Sequence, residues 1–133
     1  MEEKKYQKKI IANDTDGLVL ISALLNSAKV KVSEMKYLPS NKIFLLSAKR
    51  SRIENEKGSK EINSICRVDH VSKVKSKNID QKNHDLTLEL IAIDYLKNKE
   101  NFEINLIFKN NAHIALSTEL IDITLEDQTE NEK

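Results

Sequence analysis

Apolar residues follow two different spacings along this chain, and only one short segment has the spacing of a helix. Seven of the eight residues at 18–25 are apolar, and at helical pitch Thr15, Ser22 and Asn26 form a narrow polar stripe. Asp14 or Thr15 can accept hydrogen bonds from the free backbone N–H groups of a first turn. The pattern predicts one helix over 14–28 that is buried on most of its circumference.

Alternating apolar and polar residues predict strands in the remainder of the chain. The predicted strands are 8–12, 29–33, 42–49, 62–79, 86–95, 102–108 and 112–116, and 117–125 fits either a strand or a short helix. Tight turns are predicted at 38–41, at 98–101 and at Asn110-Asn111, where proline or asparagine suits the turn. In 86–95 the residues predicted to face inward are Leu86, Leu88, Leu90 and Ala92.

Six to seven strands joined mostly by short turns, with a single helix before them, indicate an α+β fold. We expect an antiparallel meander that forms a curved sheet, a roll or half-barrel, packed on one N-terminal helix. At 133 residues the chain is one domain, 1–133. The charged segment 50–61 is predicted to be a mobile loop, and 1–7 and 126–133 are predicted to be disordered.

Charge and cysteine content exclude several classes of protein. The net charge of +1 provides no overall attraction to nucleic acid or to an anionic membrane. Cys66 is the single cysteine, which excludes an internal disulfide framework and favours a reducing, cytoplasmic location. Asp14 and Asp16 precede the apolar run, where an export signal carries positive charge, and the run is too short to span a membrane.

Familiar motifs for nucleotide binding and hydrolysis are also missing. With Gly17 and Gly58 as the only glycines, the glycine-rich phosphate loops cannot be written anywhere in the sequence. The stretch 13–17 resembles the start of a calcium loop, but Leu25 stands where the closing glutamate belongs, so helix capping is the better interpretation. We predict no cofactor, no metal site and no catalytic residue.

Four polar residues at positions with an apolar pattern are candidates for a ligand pocket between helix and sheet. They are His70, Asp94, Tyr95 and His113. Each can hydrogen-bond a small molecule or an anion, although a hydrogen-bonded core or surface residue is the commoner role. Cys66 lies four residues before His70, roughly 13 Å along an extended strand, which is too far for a thiolate–imidazole pair.

Cations alternate along the predicted strand 62–79. They are Arg67, Lys73, Lys75 and Lys77, and Val71 interrupts the alternation, which favours a bulge. Such a row could follow the phosphates of RNA. Asp69 lies among the cations and no aromatic residue separates them for base stacking, so a solvated outer face that deters aggregation is the better interpretation. Nucleic acid is therefore not the expected partner.

Several short motifs occur in an order and spacing shared with a known family. They are Ile21-Ser22-Ala23, Met35-Lys36-Tyr37-Leu38-Pro39, Arg67-Val68 with Val71, Ser76 with Ile79-Asp80, Leu90-Ile91-Ala92-Ile93 and Ala112-His113-Ile114-Ala115-Leu116. Over residues 10–127 the chain resembles a family of small alphaproteobacterial proteins known only as a domain of unknown function. The resemblance implies a cytoplasmic bacterial protein and assigns no catalytic or binding residue. The chain differs from the family pattern at Asn110-Asn111, where a glycine-rich turn is usual, and at Ala115, where arginine is common.

Three functions stay open on the sequence. The leading hypothesis is a non-catalytic protein-binding or assembly module that presents a sheet face or edge to a protein partner or to a second copy of itself. It depends on strands whose two faces both look apolar, with Ile43, Leu45, Ile91 and Ile93 as examples. The alternative is a small-molecule or anion binder that uses the pocket between helix and sheet. The third is RNA binding through the lysine-lined strand, and no membrane partner is expected.

Overall fold

The computed structural model describes residues 9–53 and 59–128, which contain one helix and nine strands. In chain order the elements are β1 (Lys9–Ala12), α1 (Thr15–Leu24), β2 (Lys29–Leu38), β3 (Ile43–Ile53), β4 (Ser59–Val68), β5 (Val71–Lys77), β6 (Thr87–Asn98), β7 (Asn101–Phe108), β8 (His113–Thr118) and β9 (Ile123–Asp127). The predictions of disorder at 1–7 and 129–133, and of a mobile loop at 54–58, fall outside the described residues.

The strands form one antiparallel sheet in the order β1-β9-β4-β3-β2-β6-β7-β8-β5. The predicted α+β class, with one helix packed on a curved antiparallel sheet, is confirmed. The described chain has nine strands rather than six or seven, because 62–79 divides into β4 and β5 and because β9 is a separate strand. The ambiguous segment 117–125 thus ends β8 and begins β9, and it contains no helix.

A corner at Asp69 and His70 carries the chain from β4 directly into β5. His70 has a φ of 63°, the left-handed conformation that side chains rarely adopt. Backbone hydrogen bonds fix the corner, since Asp69 N donates to Asp122 O at 3.0 Å and Val71 N donates to Lys42 O at 2.8 Å. β4 pairs with β9 before the corner and β5 pairs with β8 after it, so the corner connects two distant parts of the sheet.

Helix and sheet share one hydrophobic core. Its largest fully buried side chains are Phe108, Leu18, Ile21, Leu25, Leu46, Leu90, Ile104, Leu106, Leu116, Ile123, Leu125 and Val30. Burial of each such side chain contributes roughly 1.5–3 kcal/mol to folding. Leu18, Ile21 and Leu25 come from α1 and its C-cap, so the helix is held to the strands by the same core that holds the strands to one another.

The helix begins where the sequence predicts and ends earlier. Asp14 is the N-cap, and its Oδ1 accepts a hydrogen bond from Gly17 N at 2.8 Å. The helix stops at Leu24 instead of residue 28, because a turn that includes Ser27 at a φ of 72° leads into β2. Within the described ranges, no helix has both the length and the apolarity needed to cross a membrane.

The prediction that the helix is buried on most of its circumference is wrong. Leu18 and Ile21 are buried, but Val19 and Leu20 are 59% and 49% exposed. Apolar residues therefore occupy the solvent side of α1 as well as its core side.

Two residues of the predicted polar stripe, Ser22 of α1 and Asn26 in the turn after it, are hydrogen-bonded to β6. Ser22 Oγ accepts a hydrogen bond from Ile93 N at 2.9 Å, and Asn26 Nδ2 donates to Ile91 O at 2.7 Å. These two bonds join the helix to the backbone of β6. Polar side chains are useful at this contact because they satisfy backbone groups that a hydrocarbon side chain would leave unpaired.

The predicted loop 50–61 is largely strand, because β3 extends to Ile53 and β4 begins at Ser59. Its charges suggest a loop, yet Arg50 is buried and forms an ion pair with Asp127. Asp127 and Glu126 belong to β9, so the prediction of disorder for 126–133 is wrong at its first two residues. A charged side chain can be buried within a strand when its charge partner is buried beside it.

The inward-facing set predicted for β6 is partly wrong. Leu88 and Leu90 are buried, but a register shift between Leu90 and Ala92 places Ile93 rather than Ala92 in the core. Leu86 precedes the strand and is only half-buried. An extra residue in one strand reverses the faces of all later side chains, and the pattern of β6 alone does not reveal it.

The predicted turns are confirmed. Asn41 N donates to Leu38 O at 3.2 Å in the connection between β2 and β3, and Lys99 and Glu100 connect β6 to β7. The Asn110-Asn111 turn between β7 and β8 has φ values of 67° and 63°. Two successive positive φ values identify the type I′ geometry that suits a two-residue hairpin. The bulge predicted near Val71 is also present, as a register shift in the β5–β8 pairing.

Candidate functional site

Two of the four candidate pocket residues lie far apart in the sheet. His70 is exposed at the corner, where its Nε2 lies 3.5 Å from Asp122 Oδ2. Tyr95 lies on β6 and packs edge-on against the ring of Phe102, with 6.4 Å between the ring centroids. Neither contact brings the two candidates to a common site.

Asp94 and His113 lie on one outer face of the sheet, where Asn105 stands between them. Asp94 is opposite Asn105 in the β6–β7 pairing, and Nε2 of His113 is 2.8 Å from Asn105 Oδ1. Lys77 is opposite His113 in the β5–β8 pairing, and both line an open cavity of about 610 Å³. Asn105 is buried, and sequence reasoning missed it, although its alternation with the core residue Ile104 places it on the outer face.

The row of cations is interrupted by the corner. Lys73, Lys75 and Lys77 are exposed along β5, whereas Arg67 lies on β4 before the corner. Arg67 Nη2 is 3.0 Å from Asp69 Oδ1, and the hydrogen bond and charge of Asp69 raise the pKa of Arg67. The stripe therefore contains three neighbouring lysines and one arginine whose charge is already paired.

A deeper cavity of about 510 Å³ lies between β2 and β5. Its lining residues are Val32, Ser33, Met35, Lys36, Tyr37, Phe44, Val74, Ser76, Ile79, Gln81, His84 and Ile114. None of the four predicted pocket residues belongs to this lining. The sequence prediction places the pocket between helix and sheet, whereas this cavity is bounded by strands and by the loop that follows β5.

Several exposed aliphatic side chains lie on α1 and on the neighbouring strand β6. We name this area the helix surface and define it by Val19, Leu20 and Ala23 of α1 and Ile91 of β6, all of which are exposed. Asn26, in the turn after the helix, donates a hydrogen bond to the backbone O of Ile91, so this end of α1 lies beside β6. The side chain of Ile91 also lines the open cavity that contains Lys77 and His113.

Cys66 is placed where its thiol cannot act as a nucleophile. The residue is 1% exposed, and burial raises the pKa of the thiol to about 12. A thiol with this pKa stays protonated at neutral pH, and the thiolate is the reactive form. Cys66 therefore contributes to packing.

The acidic start of α1 serves to cap the helix. Asp14 uses its Oδ1 to accept the Gly17 N–H, as a capping residue does. In the portion of the chain covered by the structure, no three His, Cys, Asp or Glu side chains are grouped so that they could share a metal ion.

Comparison with known families assigns the chain. A family described as Protein of unknown function (DUF2948) matches over residues 8–133, which is nearly the whole sequence. The chain belongs to the DUF2948 family. Its resemblance to a domain of unknown function is thereby confirmed, and membership of the DUF2948 family carries no stated activity. Neither a curated protein nor a solved structure matches the chain.

Proposed function

We propose that this DUF2948 protein is a non-catalytic assembly module that pairs with a second copy of itself through the helix surface. The observation that supports the proposal is the exposure of Val19 and Leu20, 59% and 49%, on a helix whose Ser22 is hydrogen-bonded to the backbone of β6. Exposed apolar patches on soluble proteins are often sites of interaction with other proteins. Each square ångström of apolar surface that is removed from water contributes about 25 cal/mol.

The charges around the helix favour a second copy as the partner. Asp14 and Asp16 are exposed at the N-terminal end of α1, and Lys29 is exposed just beyond its C-terminal end. When two α1 helices pair antiparallel about a two-fold axis, the acidic end of each helix lies towards Lys29 of the other. The helix dipoles are then antiparallel as well, which is favourable. In this proposed arrangement, opposite charges flank the apolar residues of the two helices.

Sedimentation velocity over a range of protein concentrations tests the proposal. We expect the native protein to form a dimer at micromolar concentration and the double variant Val19→Lys/Leu20→Lys to remain a monomer. Leu96→Lys is the matched control, because Leu96 is 60% exposed on β6 and is not part of the helix surface. Circular dichroism and melting temperature establish that all variants are folded.

A charge exchange tests the orientation of the two helices. Asp16→Lys should weaken the dimer through repulsion by Lys29 of the second copy, and Asp16→Lys/Lys29→Asp should restore it. A native protein that is monomeric at every concentration would overturn the proposal, and so would a dimer that Val19→Lys/Leu20→Lys leaves unchanged. Binding of a different protein to the helix surface would not support the proposal, because the proposed partner is a second copy of this chain.

We also propose that the protein works in the cytoplasm of an alphaproteobacterium. The resemblance of its motifs to small proteins of that group supports this origin. The single thiol of Cys66, buried and without a disulfide partner, fits a reducing compartment. Fractionation of cells that express the tagged protein checks the location, and recovery from the periplasm or the membrane would contradict it.

A further inference from the structure

The cavity between β2 and β5 lies where the pairing of the sheet is incomplete. β2 pairs with β6 only at Lys29, Val30 and Lys31, and β5 is the last strand in the sheet order. The remainder of β2 and the free side of β5 line the cavity, whose volume is about 510 Å³. This volume is within the range of roughly 300–1,000 Å³ that is usual for small-molecule sites. We name it the β2–β5 cavity.

Hydrogen bonds close two sides of this cavity. At one end Tyr37 Oη donates to Val71 O at 2.7 Å, and this bond joins β2 to β5 directly. At the other side Gln81 Nε2 donates to Ser76 Oγ at 2.6 Å, which holds the loop after β5 against that strand. The cavity therefore has walls that are tied to each other.

Apolar side chains form one part of the lining of the β2–β5 cavity. Phe44 and Ile114 are each 3% exposed and reach the cavity from β3 and β8, and Val32 is 8% exposed on β2. Val74 and Ile79 are half-buried and complete the lining of this part. This part of the lining accommodates a hydrocarbon body, whose burial against it is favourable.

The mouth of the cavity carries several polar groups and one ammonium group. Lys36 and His84 are both exposed lining residues, and none of the described lining residues is acidic. The side chains of Ser33 and Gln81 also lie in the lining and can donate hydrogen bonds to oxygen. An ammonium group with several neutral donors suits a carboxylate or a phosphate.

We propose that the β2–β5 cavity binds an amphipathic anion, with an aliphatic body against Phe44 and Ile114 and a carboxylate or phosphate head beside Lys36. Both ends of such a ligand find their complement in one site, since apolar side chains and the ammonium group of Lys36 line the same cavity. α1 is not part of the cavity lining. Ligand binding and pairing through the helix surface are consequently separate properties.

Titrations followed by NMR test this proposal with three probes of equal chain length. The probes are sodium octanoate, octyl phosphate and 1-octanol, each used below its aggregation threshold. We expect at least one of the two anions to bind with a Kd on the order of 0.1–1 mM, as is usual for ligands of this size. The neutral alcohol should bind at least about tenfold more weakly. The shifted methyl signals should be those of Val74, Ile79 and Ile114.

Matched variants distinguish the effect of Lys36 at the cavity mouth from the effect of surface charge in general. Lys36→Glu should weaken anion binding about tenfold or more, because it reverses the charge beside the head group. Lys82→Glu is the control, since Lys82 is an exposed lysine in the loop after β5 and does not line the cavity. Val74→Phe should weaken the binding of all three probes, because the larger side chain occupies part of the cavity. Melting temperatures show whether each variant is folded.

Each outcome of these titrations decides the proposal. Binding of octanoate but not octyl phosphate identifies a carboxylic acid, the reverse identifies a phosphate ester, and both results support the site. Equal binding of 1-octanol, an unchanged Kd in Lys36→Glu, or no saturable binding of any probe would each overturn it. Because Val19→Lys/Leu20→Lys lies outside the cavity, that variant should bind the anions normally even when it cannot dimerise.

Discussion

Arg50 and Asp127 form an ion pair inside the sheet, with their side chains 4% and 1% exposed. Arg50 Nη2 lies 2.8 Å from Asp127 Oδ2, and Arg50 Nε lies 3.1 Å from Asp127 Oδ1. Ser64 Oγ donates to the same carboxylate at 2.6 Å and accepts from Arg50 Nε at 3.1 Å. The cluster therefore links β3, β4 and β9 through side chains as well as through the backbone.

Removal of the carboxylate should destabilise the protein strongly. Asp127→Ala leaves the Arg50 guanidinium buried without its charge partner, and a lone buried charge costs about 3–5 kcal/mol. We expect the free energy of unfolding to fall by that amount. Urea denaturation of Asp127→Ala and of the native protein measures the difference.

A double substitution distinguishes the free-energy cost of burying an unpaired charge from the net contribution of the ion pair to stability. Arg50→Met/Asp127→Leu removes both charges and should recover most of the stability that Asp127→Ala loses, because a buried ion pair often adds little net free energy. Arg67→Ala is the control for an exposed pair, and it should change stability by less than about 1 kcal/mol. If the double variant were as unstable as Asp127→Ala, the pair itself would have to be the source of stability.

Gly17 lies so close to β1 that the helix tolerates no side chain there. A Cβ on Gly17 would be 2.7 Å from Ala12 Cβ and 2.9 Å from Ala12 Cα. Alanine is the better helix former by about 1 kcal/mol, but the Ala12 backbone cannot move freely, and overpacking costs roughly 1–3 kcal/mol. We therefore expect Gly17→Ala to destabilise the protein, as measured by its melting temperature.

The exposed helix residue Ala23 provides the control for Gly17. Ala23→Gly should cost about 1 kcal/mol through helix propensity alone. A gain of stability in Gly17→Ala would show that propensity outweighs the close approach to Ala12, and the reason given for the glycine would then be wrong.

Local features of this fold are readable in the sequence because they depend on neighbouring residues. Asp14 caps the helix, and Asn110-Asn111 forms a type I′ turn. Both structures depend only on the side chains and backbone of a few consecutive residues, so they can be predicted from the local sequence. The presence of a strand can likewise be predicted from the alternation of apolar and polar residues, because that pattern is also local. The corner at His70 lies within a segment that alternates almost continuously, so the pattern predicts one long strand where the structure has two.

The features that the sequence does not reveal depend on distant partners. Arg50 looks like a loop residue until Asp127, 77 positions later, is placed beside it. The β2–β5 cavity depends on where β2 leaves β6, which no local pattern encodes. Of the predicted site residues, Asp94 and His113 share a face because the registers of β6, β7 and β8 place both on the same side as Asn105.

The left-handed turn between β7 and β8 sets a limit on substitution at Asn110. Asparagine tolerates the observed φ of 67°, whereas a β-branched residue in this conformation costs about 1–2 kcal/mol. Asn110→Val should therefore lower the free energy of unfolding by that amount. Asn110→Gly should change it by a few tenths of a kcal/mol at most, since glycine adopts positive φ freely. Equal effects of the two substitutions, measured in urea, would show that the backbone conformation is not the cause.

Burial of Cys66 should make the stability of the protein fall at alkaline pH. The pKa of the thiol is raised from 9.0 to about 12, so above pH 9 the unfolded state loses this proton while the folded state retains it. The contribution of the neutral buried thiol is complete below pH 9 and is lost progressively as the pH rises towards 12. The expected loss is about 1.4 kcal/mol per pH unit.

Cys66→Ala isolates this effect, because both proteins contain the same lysines and tyrosines. We expect the difference in unfolding free energy between native protein and Cys66→Ala to be constant from pH 7 to 8.5. Between pH 9 and 10.5 the native protein should lose stability faster than the variant, by about 1.4 kcal/mol per pH unit. Urea denaturation at a series of pH values measures the two slopes. Parallel slopes up to pH 10.5 would mean that the folded thiol ionises as readily as the unfolded one, and that Cys66 is accessible to solvent.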